Sequence, residues 1–456
     1  MKTYGFDYAY AISWSKINEA LKANKAGQGI DLGYNGTDPD SGTDIAITVS
    51  PKPYQIVAGG GNSLINLQIE IDEGSLELDG AVVNGSYDLS GVSLIVQVNL
   101  GWAESVDGAP NLNGSGSATQ LVFSPSQTTD KTSPGYVSAV NVLDPDGQLT
   151  GNDGNPDTVA VGLLKQFSVQ TLIANRKALS FVFADVAPKP ASAGSWLVPA
   201  KWLYFNVANK STDKQALCFL CMLSDTAFPA NGAAFDADNL VAGYDTTVLI
   251  SQNVLFEKAF LPSVKGSFPG GRFTISCSDE ICSLKNSDSF TVGKVQTSDY
   301  TLEVDSAGTG LAISASGGGP LKFFFGLGKL PNASYSWSTS SNNPLAFSDG
   351  AISFIADAHP AINHHETMHW YDWALLVVTG ITGAAGLASA IYQAIKGFGD
   401  ASADMGVGNI NTDLTKAFGG NVLNLAALID WKLAGQSLSL SVAGLDGPLF
   451  ARGNFS

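Results

Sequence analysis

Leu67-Gln68-Ile69-Glu70-Ile71-Asp72 alternates apolar and polar side chains, and Leu76 and Leu78 resume the alternation after Gly74. A period of two sends successive side chains to opposite faces of an extended chain, so the stretch predicts a half-exposed hairpin. Ser93 to Trp102 and Tyr136 to Val142 continue in the same strand-rich style. Helical spacing appears at Trp14, Ile17 and Leu21, ahead of Gly27 and Gly29, and again from Val159 to Ala174. The first third therefore reads as an antiparallel sheet embracing at least one helix.

The apolar strand Leu179 to Phe183 leads into Pro188-Lys189-Pro190, where the pattern breaks. At 456 residues the chain exceeds one ordinary core. A boundary near that proline stretch divides it into residues 1–190 and 191–456, an α+β arrangement. Beyond it, Trp196 to Val207, Ala216 to Leu223 and Thr247 to Leu261 read as buried elements, followed by hairpins around Tyr300 to Val304, Leu311 to Ile313 and Leu321 to Phe325.

A formal net charge of −17 repels a phosphate backbone, which excludes nucleic acid as a partner and weakens simple adhesion to anionic membranes. Apolar burial remains as a route to lipid. Trp373 to Ile395 holds no charged side chain, and a helix of that length matches a bilayer's ~30 Å hydrocarbon core. Burial in a sheet cradle is the expected setting, from which the segment leaves conditionally. Met1-Lys2-Thr3-Tyr4-Gly5 shows no apolar leader, so the expectation is synthesis in the cytoplasm, release by a non-classical route and action outside the cell on a host. By the same token Cys218, Cys221, Cys277 and Cys282 are expected to be reduced, buried and inert.

The opening Thr3-Tyr4-Gly5-Phe6-Asp7, followed by Tyr10-Ala11-Ile12 and Ile17-Asn18, resembles the clostridial P47 proteins and their OrfX relatives. Phe6 stands where tryptophan is expected and keeps the aromatic character. The resemblance implies a TULIP-like fold in each of the two modules, with long helices wrapped by curved antiparallel β-sheets and an elongated outline. It further implies a non-enzymatic accessory or insecticidal component of a toxin gene cluster. Such a protein faces a lipid or membrane surface and acts with toxin-cluster proteins; no lipid-binding residue follows from it.

All four histidines, His359, His364, His365 and His369, fall within eleven residues. His365-Glu366-Thr367-Met368-His369 matches H-E-x-x-H, in which His365 and His369 bind zinc from one helical face while Glu366 activates water. A zinc metallopeptidase is thus the alternative activity, and a structural scaffold of a toxin complex a second one. The other functional reading is a pH switch, since imidazoles titrate near pH ~6.5 and repel one another once charged. Protonation would then free the uncharged segment, with Trp370 and Trp373 at the membrane interface. The acidic loops 38–44 and 144–157 carry oxygen donors suited to calcium, although neither has EF-hand spacing. No cofactor is expected, with calcium or zinc as the alternatives.

Overall fold

The computed structural model describes residues 1–81, 83–105, 108–151, 154–186, 197–292, 295–322, 329–348, 351–367, 429–430, 433 and 436–456. The alternating stretch that predicts a hairpin is instead one continuous strand, Leu64–Asp79. Its buried residues change phase, from Leu67, Ile69 and Ile71 to Leu76 and Leu78. A bulge accounts for this: Glu73 pairs with Ser50 and Ile71 with Pro51, leaving Asp72 as the extra residue. One inserted residue flips every later side chain to the other face, so the slip keeps both apolar sets in the core. The same strand serves two groups of partners. Its first half pairs with Ser93–Asn99 and Gln55–Gly61, its second with Asp44–Pro51 and Asn84–Asp88.

This sheet runs in the order Val137–Leu143, Ser93–Asn99, Leu64–Asp79, Asp44–Pro51, Leu32–Thr37. Helix Thr158–Ala174 contacts both outermost strands, so the sheet curls around it. Asp157 starts that helix, its carboxylate accepting from the N–H groups of Val159 and Ala160 at 3.0 Å each. The Tyr87 hydroxyl donates to the same carboxylate at 2.5 Å and ties the helix start to the sheet.

A second sheet carries Tyr8–Ser13 at its centre, between Ala216–Met222 and Thr246–Ile250. Lys201–Val207 extends one side, while Leu449–Phe455 and Leu438–Leu445 extend the other, so both chain ends meet in one sheet. Residue 190 lies in a stretch outside the described residues, and strands from both sides of it share this sheet. Both faces are covered, which explains the unbroken apolar run Ala216–Met222. A polar clasp joins this sheet to the first. The Tyr204 hydroxyl accepts from Leu100 N–H at 2.8 Å and lies between Asn99 Oδ1 and the Ser63 carbonyl. Asn206 accepts from Trp14 Nε1 at 3.0 Å and donates to the Leu64 carbonyl at 2.7 Å.

A four-stranded sheet holds Gly101–Ala103, Gln120–Phe123, Phe181–Val186 and Ile429–Asp430. An eight-stranded one spans Phe273 to Thr367, with Phe268, Phe273, Phe290 and Tyr300 packed ring to ring beneath it. One continuous apolar core runs beneath the sheets from Tyr8 to Ala451.

The expected α+β, TULIP-like fold of long helices wrapped by curved sheets is overturned. The described chain is mostly β-sheet, and its longest helix has 17 residues. After residue 190 the α-helical segments among the described residues are short. Gln252–Leu255, one π turn and Leu261–Ser267 follow one another, with Pro262 in the first turn of the last and Gly266, a weak helix former, near its end. The uncharged segment 373–395, on which the expectation of a second long helix rested, lies outside the described residues. No helix among the described residues is long and apolar enough to cross a membrane.

Candidate functional site

The residues behind the family resemblance hold structural posts. Tyr4 and Gly5 adopt left-handed φ of 55° and 86°, and the turn they make aims the N–H groups of Thr3 and Gly5 at the Glu280 carboxylate, at 2.7 and 3.0 Å. Phe6 is buried against Phe228 at a centroid distance of 6.1 Å. Asn18 exchanges two hydrogen bonds with the backbone of Ile56, pinning the first helix to its neighbouring strand.

The histidine cluster falls partly within the described residues. His359 is exposed in a bend, its backbone N–H donating to Asp357 at 2.9 Å. His364, His365 and Glu366 lie in strand Ala361–Thr367, opposite Trp337, Ser336 and Tyr335. The zinc reading needs one face of a helix, and residues 361–367 form none of it. His369, Trp370 and Trp373 lie outside the described residues.

The cysteines divide. Cys218 and Cys221 are free and buried on one strand, three residues apart, and belong to the apolar clusters on its two opposite faces. Burial pushes both thiols up, Cys221 to about 12, so neither is a reactive thiolate at neutral pH. Cys277 and Cys282 depart from the expected reduced state and form a disulfide. Their strands pair them directly opposite each other with Cα atoms 4.1 Å apart, a register that spacing alone does not reveal.

The acidic loops use their carboxylates on the backbone. Asp38 accepts from the N–H and hydroxyl of Ser41, bonds that hold its carboxyl below the usual range, and Asp144 accepts from the N–H groups of Gln148 and Leu149. These are turn and cap bonds of the usual kind. Among the described residues no three His, Cys, Asp or Glu side chains converge as metal ligands.

What the structure does form is a groove of about 660 Å³ between helix Thr158–Ala174 and strand Val137–Leu143. Ala160, Leu163, Leu164, Phe167 and Leu172 turn the helix's buried face into the sheet. Its outer face presents Gly162, Lys165, Gln166, Val169, Gln170 and Ile173 to the groove, and residues 126–129 and 136–139 make the opposite wall. Val140 and Leu143, which continue the strand, and Val159, in the first helical turn, are exposed by 42%, 41% and 44%. They are three of the seven large apolar side chains this exposed among the described residues. Sequence reading finds the helix and the strand but not the groove. The available signal is that Val161, Val169 and Ile173, partly buried against the core, and the exposed Val159 widen the helix's apolar surface beyond its fully buried face.

A family model described as OrfX-like, Protein OrfX2/OrfX3/P47, matches residues 3–302. Protein P47 of Clostridium botulinum (strain Kyoto / Type A2) is 21% identical over 262 residues, which cover 57% of this chain and 56% of that protein. The alignment thus spans little more than half of the relative. The solved structure of P47 from Clostridium botulinum A2 superposes with a TM-score of 0.70 at 17% identity, covering 100% of this chain and 98% of that one. P47 of Clostridium botulinum E1 gives 0.65 at 16% identity, over 99% and 100% of the two chains. These structural likenesses show a shared fold, and the family match, which takes in the opening Thr3 to Asn18 and most of the sheets, shows that the chain belongs to the OrfX-like family of proteins OrfX2, OrfX3 and P47.

Proposed function

We propose that this chain is a non-enzymatic accessory component of a toxin gene cluster that works by docking an apolar face onto another protein of that cluster. The observation that carries the reading is the exposure of Val140 and Leu143 on the strand, and of Val159 on the helix, whose other residues line the groove. Exposed apolar side chains are ordinary when scattered and point to association when gathered along one strand and helix. A net charge of −17 opposes a bare anionic membrane and leaves a protein surface as the better counterpart. The buried thiols and the carboxylates engaged in turns support a binding rather than a catalytic role.

The test is titration calorimetry of the purified chain against each protein encoded beside it. At least one is expected to bind, and the double variant Val140→Asp, Leu143→Asp to weaken that binding tenfold or more at unchanged melting temperature. Absence of association with any neighbour, or full binding by the variant, would refute the proposal.

A further inference from the structure

The docking face is built around an unpaired strand edge. Val137–Leu143 pairs with Ser93–Asn99 on one side and ends its sheet, so no described strand covers its outer edge. An uncovered edge presents a row of backbone N–H and C=O groups with strand spacing, a template for another extended chain. The register shift between Ala139 and Asn141 marks a bulge with Val140 as the inserted residue. A bulge re-aims its side chain, and Val140 is exposed here.

The groove's chemistry narrows the occupant. Its lining holds one charged side chain, Lys165, and no carboxylate, on a chain with an excess of 17 negative charges. Among the described residues the Lys165 ammonium group has no ion-pair partner. The other lining groups are Ser126, Gln127, Thr128, Thr129, Ser138 and further neutral residues, with Gln166 held at 3.4 Å by Asp38. Hydroxyls and amides of this kind suit a polar backbone rather than an acyl chain. Val169 and Ile173 supply the apolar floor.

We propose that the groove between helix Thr158–Ala174 and the free edge of Val137–Leu143 receives an extended peptide segment of a partner protein, which carries a carboxylate opposite Lys165. The segment adds a strand to the sheet. Its backbone pairs with the edge, its alternate apolar side chains pack on Val169 and Ile173, and its acidic residue, on that same face of the strand, is selected by Lys165, the one cation of the groove's lining. This deepens the docking function proposed above and rests on it.

Gly162 supplies a clean test, because a Cβ added there meets nothing within 4 Å and the helix loses nothing by gaining a side chain. The probe is a fluorescein-labelled heptapeptide, Thr-Val-Thr-Glu-Thr-Val-Thr, whose glutamate and valines share one face of the strand, measured by anisotropy with the full chain. Its analogues place Lys for Glu, or Pro at the third position to remove a backbone donor. The Glu peptide is expected to bind, the Lys and Pro analogues at least tenfold more weakly, and Gly162→Trp to abolish binding while melting like the wild type. Lys165→Glu should invert the preference between the Glu and Lys peptides, an outcome that loss of folding cannot imitate.

Equal binding of the Glu and Lys peptides, or Glu-peptide binding untouched by Gly162→Trp, overturns the proposal. So does co-sedimentation with phosphatidylcholine–phosphatidylserine vesicles that Gly162→Trp abolishes while the peptides fail, which assigns the groove to lipid. If cluster proteins bind through Val140 and Leu143 while the peptides do not, the strand-addition idea fails and the docking function stands.

Discussion

Opening the Cys277–Cys282 bond should loosen a second part of the molecule, the place where the first residues of the chain are held. The bond closes a loop of sequence separation 5 at the tip of hairpin Phe273–Ser278, Ile281–Asn286. The tip residues Asp279 and Glu280 sit at φ of 50° and 68°, a region that side chains beyond glycine enter at a cost of about 1 kcal/mol or more each. Glu280 nonetheless presents its carboxylate to the N–H groups of Thr3 and Gly5, and Cys282 N–H donates to Gln252 Oε1 at 2.7 Å. Loop-closure entropy for so short a ring is worth about 2 kcal/mol. Released, the left-handed turn relaxes and the carboxylate leaves the amides it was held against. A loss of about 2 kcal/mol corresponds to roughly 30-fold faster opening by the tenfold-per-1.4-kcal/mol relation. Hydrogen exchange with and without dithiothreitol reads it: the amides of Gly5 and Cys282 should exchange roughly 30-fold faster on reduction, while Leu217 and Leu249 in the central sheet hold. A Cys277→Ser, Cys282→Ala variant should exchange like the reduced protein. Unchanged exchange at Gly5 in both cases would show that the turn keeps its shape unaided, and the reasoning would be wrong.

Two further outcomes follow from single side chains. Asp157→Ala removes the cap of helix Thr158–Ala174 and the partner of Tyr87, whose hydroxyl is pushed up to about 12 by burial and by that carboxylate; urea unfolding should show a loss of about 1–2 kcal/mol, with Asp157→Asn costing less. Asp7 has its carboxyl raised chiefly by burial, against the opposing bond from Leu223 N–H at 2.7 Å, so the folded chain holds that proton more tightly than the unfolded one. The penalty of ionising Asp7 is present above its raised folded-state pKa and vanishes below the ordinary carboxylate value; Asp7→Asn should therefore melt above wild type at pH 7.5, with the gap closing toward pH 4, and a gap independent of pH would contradict this.

How much of this was legible in the sequence depends on how local each cause is. Helices Trp14–Ala23 and Thr158–Ala174 announce themselves through their own spacing, and their caps, Ser13 and Asp157, are side chains bonding two or three residues onward. The alternation at Leu67–Ile71 is equally local, and it identified a strand. What it could not show is that Leu76 and Leu78 belong to the same strand, because the phase slip at Asp72 is defined only against Ser50 and Pro51 on a neighbour. A hairpin and a bulged strand leave the same trace in a single sequence. The family resemblance located the correct relatives, yet its implied long helices misjudged how strongly glycines and strand pairing dominate the described chain.

The candidate sites were the least legible, and for one reason. A metal motif, a disulfide and a docking groove are each relations between elements. H-E-x-x-H carries zinc chemistry only where the backbone coils once between its ends, and strand Ala361–Thr367, aligned residue by residue with Tyr335 and Ser336, withholds that coil from His365. Cys277 and Cys282 bond because a two-residue turn sets them face to face, something their spacing permits but does not require. Lys165 is the one charged side chain in the lining of its groove, and Val137–Leu143, which supplies part of the wall, is the last strand of its sheet. The chemistry of that lysine is therefore a property of the fold's edge, and it is at the edge that substitution should change what this protein binds.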